Sequence, residues 1–162
     1  TWKELTCGDP SIIVAVVDEG VKHSHPDLQA NMWVNEKEIP GNGIDDDGNG
    51  YVDDIHGYNF VDDGPITWGL AGDSGHGTHC AGTIAAVNNN GKGVSGVAGG
   101  SGKGDGCRIM SCQIFSANNT ASVSGTANAI KYAADMGASI ISCSFGYTVS
   151  FSSDNSYINR QG

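Results

Sequence analysis

Apolar residues run unbroken through Ile12-Ile13-Val14-Ala15-Val16-Val17 and stop at Asp18-Glu19-Gly20. A short β-branched run of this kind predicts a strand buried on both faces. From about Asn31 to Leu70 the pattern turns polar and rich in turn formers, with one short strand expected near His56 to Phe60. A helix is predicted to begin near His76 and to run through Thr83-Ile84-Ala85-Ala86. Its small residues Ala81, Gly82, Ala85 and Ala86 suit close packing between neighbours. Asn88 to Gly106, dense in Gly and Asn, reads as loop. Arg108 to Phe115 is the next predicted strand. Ala127 to Met136 carries helical periodicity through Ile130, Ala133 and Ala134, with Gly137 as its stop. Ser139 to Cys143 is expected to be a further buried strand. Strand, helix, strand, helix, strand implies an α/β fold with a mainly parallel sheet and right-handed crossovers. Chemistry in such folds gathers at the carboxyl edge of the sheet. Asp18 and Ser144 both fall there.

Composition narrows the picture without changing it. A chain of 162 residues with 38% hydrophobic residues and 25 glycines suits one globular domain with many tight turns. No apolar run approaches the ~20 residues of a membrane span. Thr1-Trp2-Lys3-Glu4 does not open a signal peptide and reads as the start of a mature or trimmed product. The net charge of -10 argues against nucleic acid as a partner. Asp45, Asp46, Asp47, Asp53, Asp54, Asp62 and Asp63 crowd one stretch without a Lys or Arg among them, as either a solvated loop or a site for a hard cation. The five cysteines form no C-x-x-C pair, which weakens zinc and redox readings. Cys112 and Cys143, inside apolar segments, are expected to be buried thiols.

Three local patterns carry chemistry. A carboxylate directly after six apolar residues needs a hydrogen-bond partner to stay charged, so Asp18 either caps a turn or serves a site. His76, preceded by Asp73-Ser74-Gly75, is held at a helix N-terminus, where the dipole favours the neutral imidazole of a general base. His79 is the candidate for a satisfied structural histidine. A zinc reading would want His-Glu-x-x-His, and the intervening residues here are Gly77 and Thr78. In the acidic stretch, Asp45, Asp47 and Asn49 take the first, third and fifth places of a D-x-D-x-N-G calcium loop. Gly50 supplies the turn, Tyr51 a carbonyl and Asp53 the ninth place. His56 stands where the bidentate Glu would be, which makes Asp53 or Asp54 the expected replacement ligand.

Val14-Ala15-Val16-Val17-Asp18-Glu19-Gly20 with His25-Pro26-Asp27-Leu28 resembles the aspartate motif of the subtilases. His76-Gly77-Thr78-His79-Cys80-Ala81-Gly82-Thr83 resembles their histidine motif, and Ser142-Cys143-Ser144-Phe145-Gly146 their substrate-binding strand end. The resemblance implies a three-layer subtilisin-like fold over residues 1–162, incomplete at its C-terminal side, with an acidic loop insertion at about 33–70. It implies a serine endopeptidase acting through an acyl-enzyme, in which Asp18 orients His76 and His76 takes the proton of a serine. Glu19 departs from the Ser or Thr common in the family. The family's Gly-Thr-Ser-Met-Ala nucleophile segment and its oxyanion Asn are absent, so both are expected on a C-terminal remainder that partners this chain. Peptide substrate is expected between Ser144-Phe145-Gly146 and Asn119-Thr120-Ala121, as an added strand. Asn118-Asn119-Thr120 is also a glycosylation sequon. Cys80 matches a cysteine that some subtilases place beneath the histidine, with an inert buried thiol as the plainer alternative. A second structural calcium site is implied where Asp27 meets the Val87 to Val94 loop through Asn89 and backbone carbonyls. Location outside the cell or in its envelope follows from the resemblance alone. A pseudoprotease or binding module, and a transpeptidase or macrocyclase on the same fold, are the alternatives.

Overall fold

The computed structural model describes residues 2, 5–69, 74–115 and 120–146. Four strands, β1 (Ile13–Asp18), β2 (Gly57–Asn59), β3 (Arg108–Gln113) and β4 (Ile140–Cys143), form one sheet in the order β2-β3-β1-β4. Every pairing is parallel, with Val14 opposite both Ile109 and Ile140. The apolar run therefore becomes one of two inner strands of the sheet, as its continuous hydrophobicity predicts.

Alternation along β1 divides the core in two. Val14 and Val16 face Ala81 and Ala85 of helix α1 (His76–Ala85), together with Val21, Leu28, Met32 and Ile109. Ala15 and Val17 face Ala129, Tyr132 and Ala133 of helix α2 (Val123–Asp135), with Tyr58, Met110 and Cys112. A helix lies on each side of the sheet, and the three layers follow. Alanines at the contact surfaces of both helices let them sit close to the strands.

Helix α2 starts four residues before the predicted Ala127. Ser122 caps it, its Oγ accepting from the Gly125 N–H at 2.9 Å. At the other end Gly137 adopts a left-handed φ of 86°, and Ala138 N–H donates back to the Ala133 carbonyl, so the glycine stop is where the sequence puts it.

Strand β4 differs from expectation. Its apolar sequence predicts burial, yet Ile140 is 54% exposed and Cys143 is exposed. Among the described residues β4 pairs with β1 alone, which leaves it at a sheet edge and explains the exposure. Cys112, on β3 between two strands, is fully buried as predicted, and burial pushes its thiol pKa far up.

The acidic insertion is fastened to this core through Asp54. Its fully buried carboxylate accepts from Tyr132 Oη at 2.7 Å, Asn35 Nδ2 at 2.8 Å and Asn49 Nδ2 at 3.0 Å. Desolvation pushes the Asp54 pKa up against these three donors. Tyr51 adds its ring to the same region, edge-on to both Tyr58 and Tyr132 at 4.8 Å. Removing one donor from a buried carboxylate is costly. Tyr132→Phe should destabilise the protein by about 1–3 kcal/mol in denaturant unfolding. A midpoint identical to wild type would mean that the Tyr132–Asp54 contact does not support the fold.

Candidate active site

Asp18 is the last residue of β1, and its carboxylate is 1% exposed. It receives the Glu19 backbone N–H on Oδ1 at 2.7 Å. His76 is the first residue of α1, and its Nδ1 lies 2.8 Å from Asp18 Oδ1 and 2.9 Å from Oδ2. Strand end and helix start thus bring together two residues 58 positions apart in the chain. Gly77 permits the approach: a Cβ there would overlap the Glu19 carbonyl oxygen and crowd Asp18 Oδ1. This is the physical content of the glycine that follows the histidine.

The imidazole faces two environments. Nδ1 is engaged by a buried carboxylate, while the side chain as a whole is 48% exposed. Asp18 raises the His76 pKa by hydrogen bond and by charge, and Glu19 adds to the rise. The expectation that the helix dipole keeps the ring neutral is therefore outweighed: a carboxylate at contact distance exceeds the partial charge of a helix end. With Asp18 as acceptor, Nδ1 carries the proton in the neutral ring, and Nε2 presents its lone pair for a proton from another group. Cys80, one turn along α1, places Sγ 3.8 Å from Nδ1 and 3.9 Å from Nε2.

Asp18, Glu19, Ser74, His76, Phe115 and the strand-end residues Ser144, Phe145 and Gly146 line one hollow of about 320 Å³. The Phe145 ring stands edge-on to Phe115 at 5.7 Å. Of the second expected substrate segment, Asn119 lies outside the described residues. Thr120 is exposed, and Ala121 packs against the cluster under α2.

His79 departs from expectation. It is exposed, not buried and satisfied, and it lines a separate groove of about 540 Å³ along α1 with His25, Asp27 and Val94.

The acidic loop brings together a set that differs from the calcium-loop register. Oxygens of Asp45, Asp47 and Glu38 lie within 4.8 Å of one another. Asp45 also accepts from Asn49 and Gly50 N–H, and Asp47 from Asn49 N–H. Asn49 and Tyr51 close the turn, Tyr51 N–H donating to Asn49 Oδ1 at 2.7 Å. Asp53 turns away: at φ 55° it gives its carboxylate to the amides of Gly41, Asn42 and Gly43. Asp54 is committed to Tyr132. Glu38, outside the motif, takes the position expected of Asp53 or Asp54.

A one-residue shift also occurs at Asp27. Its Oδ1 accepts from Asn90 Nδ2 at 2.6 Å and Oδ2 from Val94 N–H at 2.9 Å, while its carbonyl accepts from Val87 N–H. Asn89 instead donates to the Ser101 carbonyl.

A family model described as the subtilase family matches residues 9–162. The subtilisin-like protease 1 of Plasmodium berghei is 35% identical over 153 residues, which are 92% of this chain and 24% of that protein. Thermitase of Thermoactinomyces vulgaris is 33% identical over 136 residues, covering 84% of this chain and 38% of thermitase. The crystal structure of fervidolysin from Fervidobacterium pennivorans, described as a keratinolytic enzyme related to subtilisin, superposes with a TM-score of 0.58 at 33% identity. That match covers 86% of this chain and 17% of the other. The chain thus spans well under half the length of these relatives.

The Asp18–His76 contact can be read directly. The His76 imidazole should titrate above the ordinary histidine value of about 6.5, because Asp18 stabilises its protonated form. Asp18→Asn should lower that pKa. An NMR titration showing His76 unmoved by Asp18→Asn would contradict the contact.

Proposed function

The chain belongs to the subtilase family, and we propose that it supplies the acid and base of a serine endopeptidase. The observation that carries this is the buried Asp18 carboxylate on His76 Nδ1, with Nε2 left for a serine hydroxyl. In this reading His76 takes the proton as the serine oxygen attacks a peptide carbonyl. Asp18 holds the ring in the correct tautomer and stabilises the imidazolium, and His76 then protonates the leaving amine. The serine and the oxyanion amide are assigned to a C-terminal remainder of the same protease. Substrate is assigned to the hollow beside Ser144, Phe145 and Gly146, which shares its walls with Asp18 and His76. Asn119-Thr120-Ala121 would form the opposite side of the peptide.

We further propose calcium as a structural ion. The donor set of Glu38, Asp45 and Asp47, all hard oxygens, fits calcium and not a soft metal. Asn49 and Tyr51 shape the turn around it, and Asp53 braces the loop from outside. Asp27, with Val87, Asn90 and Val94, is the second candidate, with Asn90 in the place expected of Asn89. Calcium would offset the mutual repulsion of these carboxylates in the folded state. A protein acting outside the cell fits a relative named as the halolysin-like extracellular serine protease Nep of Natrialba magadii, 32% identical over 145 residues. Among the described residues no helix is long and apolar enough to cross a membrane.

Residues 1–162 alone should hydrolyse no peptide, because nucleophile and oxyanion donor are both missing. In the full-length protease, His76→Ala should lower kcat by several orders of magnitude. Near-normal turnover in that variant would identify a different base. Peptide hydrolysis should also fall as pH drops through the His76 pKa, since a protonated ring cannot accept the serine proton.

Chelation should lower the melting temperature of the full-length protease. A hundredfold excess of calcium over its dissociation constant would stabilise the native state by about 2.7 kcal/mol. Asp47→Ala should remove part of that gain while leaving the Asp18–His76 contact intact. A calorimetric scan with no calcium-dependent shift would end the metal reading.

A further inference from the structure

Helix α1 begins at the residue that carries the imidazole, so whatever fixes its first turn also fixes the base. The N-cap residue, Gly75, sits at a left-handed φ of 75° and has no side chain to accept a first-turn amide. Glu19 fills that role from another element. Its Oε2 accepts the His76 backbone N–H at 2.9 Å, and its Oε1 accepts the Ser74 hydroxyl at 2.9 Å. The side chain is buried, with Glu19 only 7% exposed, so solvent and salt screen these contacts little.

The backbone of the same residue reaches the other half of the pair. Glu19 N–H donates to Asp18 Oδ1 at 2.7 Å, the oxygen that also holds His76 Nδ1. One residue therefore grips the acid by its amide and the base by its carboxylate. Gly77 lies against the Glu19 carbonyl and closes the packing.

We propose that Glu19 is a positioning residue for His76, capping the first turn of α1 and fixing the imidazole against Asp18. This rests on the assignment of Asp18 and His76 as catalytic acid and base. A hydroxyl side chain at this position would bring neither the second oxygen nor the charge. Among the described residues, three titratable groups face the imidazole: Asp18 at the end of β1, Glu19 just beyond it, and Cys80 one turn along α1. Phe115 and Phe145 complete the walls of the hollow without charge. The charge of Glu19 adds to that of Asp18 in favouring the imidazolium, so its removal has an electrostatic signature beyond any loss of packing.

The test compares Glu19→Gln and Glu19→Ala in the full-length protease. Glu19→Gln keeps an oxygen for the His76 amide and removes the charge. It should move the His76 titration, followed by NMR, and the acid limb of kcat/KM to lower pH together. Glu19→Ala should do the same and also lower the plateau kcat on the order of tenfold with KM held, through loss of the cap. Glu19→Gln should recover most of that kcat. Hydrogen exchange at the His76 amide should be faster in Glu19→Ala than in Glu19→Gln. A Glu19→Ala variant with a lower melting temperature but unchanged kcat, His76 titration and His76 amide protection would make Glu19 merely structural and overturn the proposal. The NMR and exchange readouts do not depend on turnover. A protein that hydrolysed no peptide would therefore sink the protease assignment while these measurements still decided the role of Glu19.

Discussion

The contact between a buried carboxylate at the end of β1 and an imidazole at the start of α1 imposes the tightest constraint on this structure. Asp18 has been taken out of water, so it must be hydrogen-bonded to remain an anion. It obtains that from the Glu19 amide and from His76 Nδ1. For both donors to reach one carboxylate, α1 must dock with its first turn against the strand end, which only Gly77 allows. The alanines that follow on α1 then sit against β1, and the first core cluster assembles behind the site. The His76 side chain is left half exposed, beside a hollow lined also by Ser144, Phe145 and Gly146.

On the opposite face the acidic insertion is held by a comparable device. Asp54 is buried and satisfied by Tyr132, Asn35 and Asn49, so a loop dominated by carboxylates is tied to α2 and to the aromatic cluster of Tyr51, Tyr58, Phe60 and Tyr132. The same cluster includes Phe115, Ala121 and Phe145. The acidic loop is thus connected, through packed side chains, to the walls of the hollow beside Asp18 and His76. The calcium proposed for this loop would act on these packed side chains without touching Asp18 or His76.

The strands and helices that build the site were legible in the sequence because their patterns are strong. An unbroken apolar run can only be an inner strand here, and the carboxylate that ends it must find a donor. What was not legible depends on single backbone angles. Asn88, Asn89 and Asn90 are chemically identical in sequence, and only the positive φ of 57° at Asn89 turns that side chain to Ser101 and leaves Asn90 for Asp27. Asp53, at φ 55°, is turned in the same way toward Gly41–Gly43, and Glu38 fills the gap from outside the motif's register. Strand β4 misled for a different reason. Its composition speaks of burial on both faces, whereas among the described residues it has one neighbour. Glu19 read in sequence only as a departure from the Ser or Thr common in the family, and its contact with the first turn of α1 emerges only when strand end and helix start meet.

In the proposed function Asp18 and His76 of this chain activate a serine that lies outside residues 1–162. Stoichiometric labelling of the full-length protein with a fluorophosphonate, followed by peptide mapping, tests it most directly. One labelled serine outside residues 1–162 is expected, with labelling slowed by orders of magnitude in His76→Ala. A label on a serine within residues 1–162, or labelling at the wild-type rate in His76→Ala, would contradict it.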